Sequence, residues 1–281
     1  MNVRPMRAED LDFAAERTLE VDWPGETREV FENFLLRDPG GCFIAESEGH
    51  RIGVCVATAY ERSGFIGELI VRREERGRGV GPRLMTEAIA YLRGRGAGNI
   101  YLDGVARAVP FYQSLGFRPV CRSLRFLGTV EGRLSADVRP MRKGDLPEVR
   151  RLDRQAFGDD RGFFLERRFL LYPRFAEVLE RRGRLEGFIL ALQGRGLVSA
   201  GPWVVAPEAG DPLALLAGLA LETAGAALRI GVLGTNEQAV AALGRISGLT
   251  PQHASLRMVL GPSDRLGNSP LCWAVGSPAK G

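Results

Sequence analysis

Arg76-Gly77-Arg78-Gly79-Val80-Gly81 stands between the apolar run Leu69-Ile70-Val71 and the stretch Leu84-Met85-Thr86-Glu87-Ala88-Ile89-Ala90-Tyr91-Leu92. The order reads as strand, glycine loop, helix. A helix N-terminus leaves backbone N–H groups unpaired and carries partial positive charge, so a loop that turns them outward is a phosphate site. Glycine serves there because a Cβ would block the ligand or forbid the positive-φ turns that aim successive amides. Spacing narrows the ligand. A dinucleotide fingerprint needs Gly-x-Gly-x-x-Gly and an acidic residue about 20 positions on, whereas these glycines fall at 77, 79 and 81 with Pro82 next. A Walker loop closes with Gly-Lys-Ser/Thr, and Gly81-Pro82-Arg83 does not.

Downstream lie a short strand pattern, Asn99-Ile100-Tyr101-Leu102-Asp103, and then Phe111-Tyr112-Gln113-Ser114-Leu115-Gly116-Phe117. Together, Val71-x-x-x-x-Arg76-x-x-Gly79-x-Gly81 and the Tyr-x-x-x-Gly-Phe element resemble the GNAT superfamily of N-acetyltransferases, in that family's order and separation. The resemblance covers roughly residues 1–128. More narrowly, Tyr101-Leu102-Asp103-Gly104-Val105, Tyr112 and Cys121-Arg122-Ser123-Leu124-Arg125-Phe126 look like bacterial proteins in which one GNAT domain is followed by a degenerate second.

The chain itself argues for two domains. Val3-Arg4-Pro5-Met6-Arg7-Ala8-Glu9-Asp10-Leu11 recurs about 135 residues on as Val138-Arg139-Pro140-Met141-Arg142-Lys143-Gly144-Asp145-Leu146, with seven of nine positions matching. One domain length separates the copies, which points to tandem domains and not a solenoid. A hairpin of residues 42–46 and 51–56, turning at Glu48-Gly49-His50, has its counterpart in residues 175–179 and 185–190, turning near Arg182-Gly183. The expected class is α/β: two tandem GNAT-like domains, each a mixed, mostly antiparallel sheet flanked by helices, over residues 1–128 and 138–281 with a linker at 129–137. In the second copy the glycine loop is replaced by Glu208-Ala209-Gly210-Asp211-Pro212-Leu213-Ala214-Leu215, with leucines near the places of Gly79 and Gly81. Bulk and negative charge there should repel a pyrophosphate. The tyrosine place also falls to Gly244. The second domain is therefore expected to be structural or to wall the first domain's substrate pocket.

The resemblance implies acetyl-CoA as co-substrate, with direct transfer of acetyl to a primary amine in a ternary complex. Such a reaction needs the thioester in line with the amine, a donor for its carbonyl oxygen, a base for the amine and an acid for the leaving thiolate. In the family, the strand before the loop splays and opens its backbone to the pantetheine arm, a role that falls by position to Leu69, Ile70 and Val71. The amides of Arg78, Gly79, Val80 and Gly81, within the loop that Gly77 begins, would take the pyrophosphate, and Arg76 and Arg78 would add charge. Tyr112 is the candidate general acid, since a phenol of pKa ~10 is well matched to a thiolate whose conjugate acid lies near ~8.5. Asp103 and Glu68 are the candidate bases. Strict alternation puts Glu68 on the face of Ile70, away from that of Leu69 and Val71. Trp23 and Glu26, in Asp22-Trp23-Pro24-Gly25-Glu26-Thr27, suit an amine acceptor, and Trp203 and His253 of the second half could reach a shared cleft.

Composition bounds the rest. The 281 residues suffice for two ordinary cores. No apolar run reaches the ~18 residues of a membrane span and the N-terminus carries no apolar signal region, so a cytoplasmic protein without a membrane partner is expected. Cys42, Cys55, Cys121 and Cys272 have no metal-type spacing, and no metal is expected. The net charge of +4 is modest and its arginines are spread over both halves, which argues against nucleic acid as a partner. The acceptor is expected to be a small molecule, with a peptide or protein amine as the alternative and a non-catalytic acyl-CoA sensor as the reading outside enzymes.

Overall fold

A computed structural model of the chain describes residues 1–263 and 267–281. The repeat in the sequence becomes the same opening in each half. Strands β1 (Asn2–Pro5) and β7 (Val138–Pro140) run antiparallel to the first strands of two hairpins, β2 (Cys42–Ser47) and β8 (Ala176–Arg181). The repeated Arg and Asp meet: Arg4 bonds Asp10 at 2.7 Å and Glu46 at 2.5 Å, and Arg139 bonds Asp145 at 2.7 Å and Glu180 at 2.7 Å. Each Asp also accepts the amide three residues before it, from Arg7 or Arg142, at 2.7 Å. The motif thus pins the start of the first helix, α1 (Leu11–Leu19) or α5 (Leu146–Phe157), to the sheet. Burial pushes the Asp10 pKa up, but Arg4, the Arg7 amide and Arg51 outweigh it and hold the group below the usual carboxylate range.

The hairpins form as read. β2 pairs with β3 (His50–Ala59) around Glu48 and Gly49, both at positive φ, and β8 pairs with β9 (Arg184–Gln193) around Arg182 and Gly183, both at positive φ. Two such residues close a hairpin with the hand that matches strand twist. Beyond them come β4 (Ser63–Val71), α3 (Val80–Gly94), β5 (Asn99–Val105), α4 (Val109–Ser114) and β6 (Arg118–Gly128) in the first half. Their counterparts are β10 (Val198–Val205), α7 (Leu213–Glu222), β11 (Leu228–Leu233), α8 (Glu237–Gly244) and β12 (Leu249–Leu260). A short β13 (Cys272–Ala274) follows.

The two sheets are joined into one. Among the described residues the strand order is β1-β2-β3-β4-β5-β12-β6-β11-β10-β9-β8-β7, so the halves exchange their last long strands. β12 bonds β5 from Ser255↔Val105 to Leu260↔Ile100, and bonds β6 along its other edge from Leu249↔Gly128 to Val259↔Arg118. β6 in turn bonds β11 from Ser123↔Leu233 to Gly128↔Leu228. Taking either half away would leave long unpaired edges on β5 and β6 or on β11 and β12, with their amides and carbonyls stripped of partners.

Helices cover both faces. In the first half, α1 and α2 (Arg28–Arg37) pack Phe13, Ala14, Phe31 and Phe34 on one face, and α3 packs Leu84, Met85 and Leu92 on the other. The first of these cores runs on into the second half, where Phe34 meets Phe164 of α6 (Gly162–Leu171) edge-on at 5.7 Å. Asp159 of the second half accepts the amides of Glu61, Arg62 and Ser63 at the β3–β4 turn of the first.

Strand exchange and a shared core predict that the halves unfold together. Scanning calorimetry should give a single cooperative transition for the whole chain, and two resolved transitions would contradict the exchange.

Candidate active site

β4 pairs with β5 in parallel only where Ser63, Gly64 and Phe65 meet Asn99, Ile100 and Tyr101. Past Phe65 the two strands part. The cause lies on the other edge of β4, where Val56 pairs with Gly67 and Val54 with Ile70, leaving Glu68 and Leu69 opposite Cys55 alone. This is a bulge, and Glu68 takes the positive φ of 52° that accommodates it. One extra residue reverses the alternation. Phe65 and Ile70 share one core although strict alternation would separate them. Glu68 is thereby carried into the gap.

The gap is a cavity of about 370 Å³. The first half lines it with Trp23 and Glu26 from the α1–α2 loop, Glu68 and Leu69 from β4, Asp103 from β5 and Tyr112 from α4. The other walls are Arg125 of β6, Arg229 of β11, Gln252, His253 and Ser255 of β12, and Pro278 and Ala279 of the C-terminal segment. Six residues singled out from the sequence, with His253, therefore converge on one space. Trp203 does not. It is fully buried in the second half's core against Trp273, ring centroids 5.1 Å apart, and the expectation that it lines a substrate cleft is corrected. Ile70 points into the core of α1 and α2, so only its backbone is open to a ligand.

The two candidate bases sit in opposite environments. Glu68 is 4% exposed, and its Oε2 has no hydrogen-bond partner among the described residues. Burial, reinforced by the charge of Glu26, pushes its pKa well above the ordinary value; Lys280 and Arg229 pull it back only in part. Asp103 is also covered, and burial pulls its pKa up, but two guanidinium groups win and hold it below the carboxylate range. Arg257 donates to both its oxygens, Arg125 stands at 3.4 Å, and the Ser123 hydroxyl donates at 2.7 Å. A carboxylate so paired is a poor proton acceptor. The base role expected for Asp103 conflicts with this clamp, whereas Glu68 has the unpaired oxygen and the raised pKa that the role needs.

Tyr112 projects from α4 over Gly104: a Cβ on Gly104 would lie 2.9 Å from Cδ2 of the ring. Its hydroxyl bonds no group among the described residues, and burial, with the nearby Cys55 thiol, raises its pKa, so the phenol stays protonated at neutral pH.

The glycine loop lies at the end of β4. Gly77 (φ 79°) and Gly79 (φ 82°) both adopt the left-handed backbone, and nothing stands within 4 Å of a Cβ built on either. The room beside them is open. Gly79 caps α3, and the amides of Arg78, Gly79, Val80 and Gly81 donate to no backbone carbonyl among the described residues. Arg78 is exposed beside Glu75, and the Arg76 side chain turns back to the Val71 carbonyl at 3.0 Å. These observations fit a phosphate chain lying along the loop.

The corresponding gap in the second half is closed. β10 pairs with β11 only from Val198 to Ala200 and then parts from it, as β4 does from β5. Here β13 enters the opening: Trp203 and Val204 of β10 pair with Ala274 and Cys272, and the Val275 amide donates to Gly231 of β11 at 2.8 Å. Leu215 of α7, near the place of Gly81, is wholly buried. Backbone groups that the first half leaves open are thus used internally in the second.

Sequence reading missed Arg125, Arg229 and Lys280. Each arginine breaks an apolar strand, in Leu124-Arg125-Phe126 and Leu228-Arg229-Ile230, and that interruption was the available signal. Lys280, one of only two lysines, is buried with Nζ 4.6 Å from the Phe34 ring centroid, and burial lowers its pKa to about 8.

Comparison with known proteins agrees with this geometry. The acetyltransferase (GNAT) family model matches residues 8–117, and an acetyltransferase (GNAT) domain model matches residues 149–271, so that most of the chain falls within one or the other. A mycothiol acetyltransferase of Thermobispora bispora is 33% identical over 129 residues, covering 40% of this chain and 44% of that protein; the match spans less than half of the relative's length. Among solved structures, a putative acetyltransferase from Pyrococcus horikoshii superposes with a TM-score of 0.83 at 23% identity, over 100% of this chain and 95% of the other. A tandem GNAT protein from the clavulanic acid biosynthesis pathway gives 0.61 at 15% identity, over 93% and 99%. Both share the fold. Among the described residues no helix is long and apolar enough to cross a membrane, and no group of His, Cys, Asp and Glu is placed to hold a metal ion.

The Glu68 environment carries a stability prediction. Its folded pKa lies above the ordinary 4.5, so the stability associated with its neutral form is fully present below that value and is lost as pH rises through the folded pKa. Glu68→Gln removes the ionisation. Its melting temperature should exceed that of the parent at pH 8, with the difference fading towards pH 4; a variant less stable than the parent at pH 8 would contradict the buried, unpaired carboxylate.

Proposed function

Because the chain belongs to the GNAT acetyltransferases in their tandem form, we propose that it transfers acetyl from acetyl-CoA to the amine of a small molecule held in the cavity between its halves. The observation that carries this reading is the parting of β4 from β5 beside an open glycine loop, with Glu68 and Tyr112 lining the same space. The family uses acetyl-CoA, and the loop amides from Arg78 to Gly81 with the backbone edge of Leu69, Ile70 and Val71 that β5 leaves unpaired are the groups that would hold it. When bound, it supplies a thioester carbonyl carbon open to attack by an amine.

The chain's own groups then have separate tasks. Glu68 takes the proton from the incoming ammonium, either directly or through water, and its raised pKa brings it closer to the amine it must deprotonate. Glu26 adds negative charge at the same wall and favours a cationic acceptor before transfer. Tyr112 Oη holds the proton needed by the leaving sulfur. Asp103 acts as a fixed counter-ion, keeping Arg125 and Arg257 charged and in place beneath the cavity. Among the described residues no Cys or Ser lies in a nucleophile setting, which agrees with direct transfer. A small acceptor is favoured over a protein because the second half walls the cavity, and the likeness to a mycothiol acetyltransferase points the same way. We place the division of labour at residues 1–128 for the acyl donor and 138–281 for the wall, with residues 129–137 between them.

The test is steady-state turnover of acetyl-CoA against a panel of small amines. Glu68→Gln should lower kcat by about 10²-fold or more while leaving acetyl-CoA affinity unchanged. In the parent, kcat/KM should fall as pH drops through the raised Glu68 pKa. A variant that keeps full kcat would remove Glu68 from the reaction. Tyr112→Phe should likewise lower kcat with normal acetyl-CoA binding, and unchanged turnover would return that side chain to a packing role.

A further inference from the structure

The charges around the cavity are unevenly paired. On the β4 flank Glu68 and Glu26 line the space, and neither side chain makes a hydrogen bond or ion pair among the described residues. Across β5, β12 and β6, the β11 strand brings Arg229 to the same cavity, and its guanidinium donates to no carbonyl or side chain among the described residues. Its neighbours do not neutralise it. Arg125, whose charge it feels, already shares the carboxylate of Asp103 with the buried Arg257.

An arginine left half-buried without a partner loses hydration that nothing in the chain replaces. It is well placed to gain from a ligand oxyanion. Glu68 and Arg229 feel one another's charge but form no ion pair, and both line the one cavity; Glu26 also lines a smaller recess together with Arg125 and Arg229. The planar fork matches a carboxylate through two parallel bonds. A ligand carrying an amine alone would satisfy Glu68 and leave Arg229 unpaired.

We propose that the acceptor is an amine that also bears a carboxylate, an amino-acid-like molecule whose nitrogen lies at Glu68 and whose carboxylate is anchored by Arg229. This rests on the acetyl-transfer reading and names the class of acceptor within it. Arg229 is then a specificity residue supplied by the second half, which explains why a half without its own acyl-donor site contributes a wall to the first.

The experiment pairs amino acids with the same amines lacking the carboxyl: β-alanine with ethylamine, 4-aminobutyrate with propylamine, lysine with cadaverine, phenylalanine with phenethylamine. For at least one pair, the carboxylate-bearing member should be preferred by about 10- to 100-fold in kcat/KM, chiefly through KM. Arg229→Gln should bring that ratio to within about threefold of unity, and Arg229→Lys, which keeps the charge without the fork, should retain part of it. Thermal unfolding checks that both variants are folded, and should Arg229→Gln fail to fold, the parent ratio and the Arg229→Lys ratio decide. The same preference should appear in calorimetric binding of the two members to the parent protein. Equal turnover of both members in every pair would overturn this inference and leave acetyl transfer standing. A preference that survives Arg229→Gln unchanged would overturn the assignment to Arg229, and no turnover with any amine would overturn the acetyl-transfer reading and this inference with it.

Discussion

The backbone ladder through β5, β12, β6 and β11 is the constraint on which the rest of the molecule depends. Each half lacks one strand of its own and takes it from the other, so neither sheet is complete alone. The ladder fixes more than stability. By laying β12 against β5 and β6 against β11, it sets Arg125, Arg229 and Ser255 around a gap that opens in the first half. The Arg257–Asp103–Arg125 cluster crosses that seam, joining residues of β5, β6 and β12 in one buried group. Breaking one member would leave buried charge uncompensated, which is costly.

Two equivalent gaps arose from one repeated plan, and they have opposite fates. Between β4 and β5 the bulge at Glu68 keeps backbone groups and one carboxylate oxygen unpartnered, beside a loop whose glycines leave room for a ligand. Between β10 and β11 the chain fills the opening with β13 and satisfies the same kind of backbone groups internally. Unsatisfied polar groups persist in a folded protein where a ligand supplies the missing partners. The proposed assignment of the site to the first gap rests on this contrast within one chain. The C-terminal segment serves both, closing the second gap with β13 and bordering the first with Pro278 and Ala279.

How much of this was legible in the sequence follows from the range of each interaction. The glycine loop, the helix it starts, Tyr112, the repeated Arg and Asp and both hairpin turns are local patterns, and the folded chain carries them where the sequence put them. The base was harder. Strict alternation gave Glu68 an uncertain face, because the parity of β4 is reversed by a bulge whose signature lies on the partner strand at Cys55. Asp103 looked free because its arginines stand 22 and 154 residues further on. Trp203 resembled a cleft aromatic, yet the partner that buries it, Trp273, belongs to a strand that the repeat did not foretell. The strand exchange was invisible for the same reason, since a strand's pattern declares which faces it buries and not which edges it pairs. Arg229 left a trace as a charge inside Leu-Arg-Ile-Gly-Val-Leu, and an isolated arginine in an apolar strand is a signal to follow.

On the proposed reading this chain holds one acyl-CoA site, between β4 and β5, while its second gap is filled by its own β13. Titration calorimetry of the whole protein with acetyl-CoA tests it most directly, repeated on a Gly79→Glu variant that places bulk and negative charge in the loop. One site per chain is expected, abolished by the substitution. Two sites per chain, or a single site that survives Gly79→Glu, would contradict it.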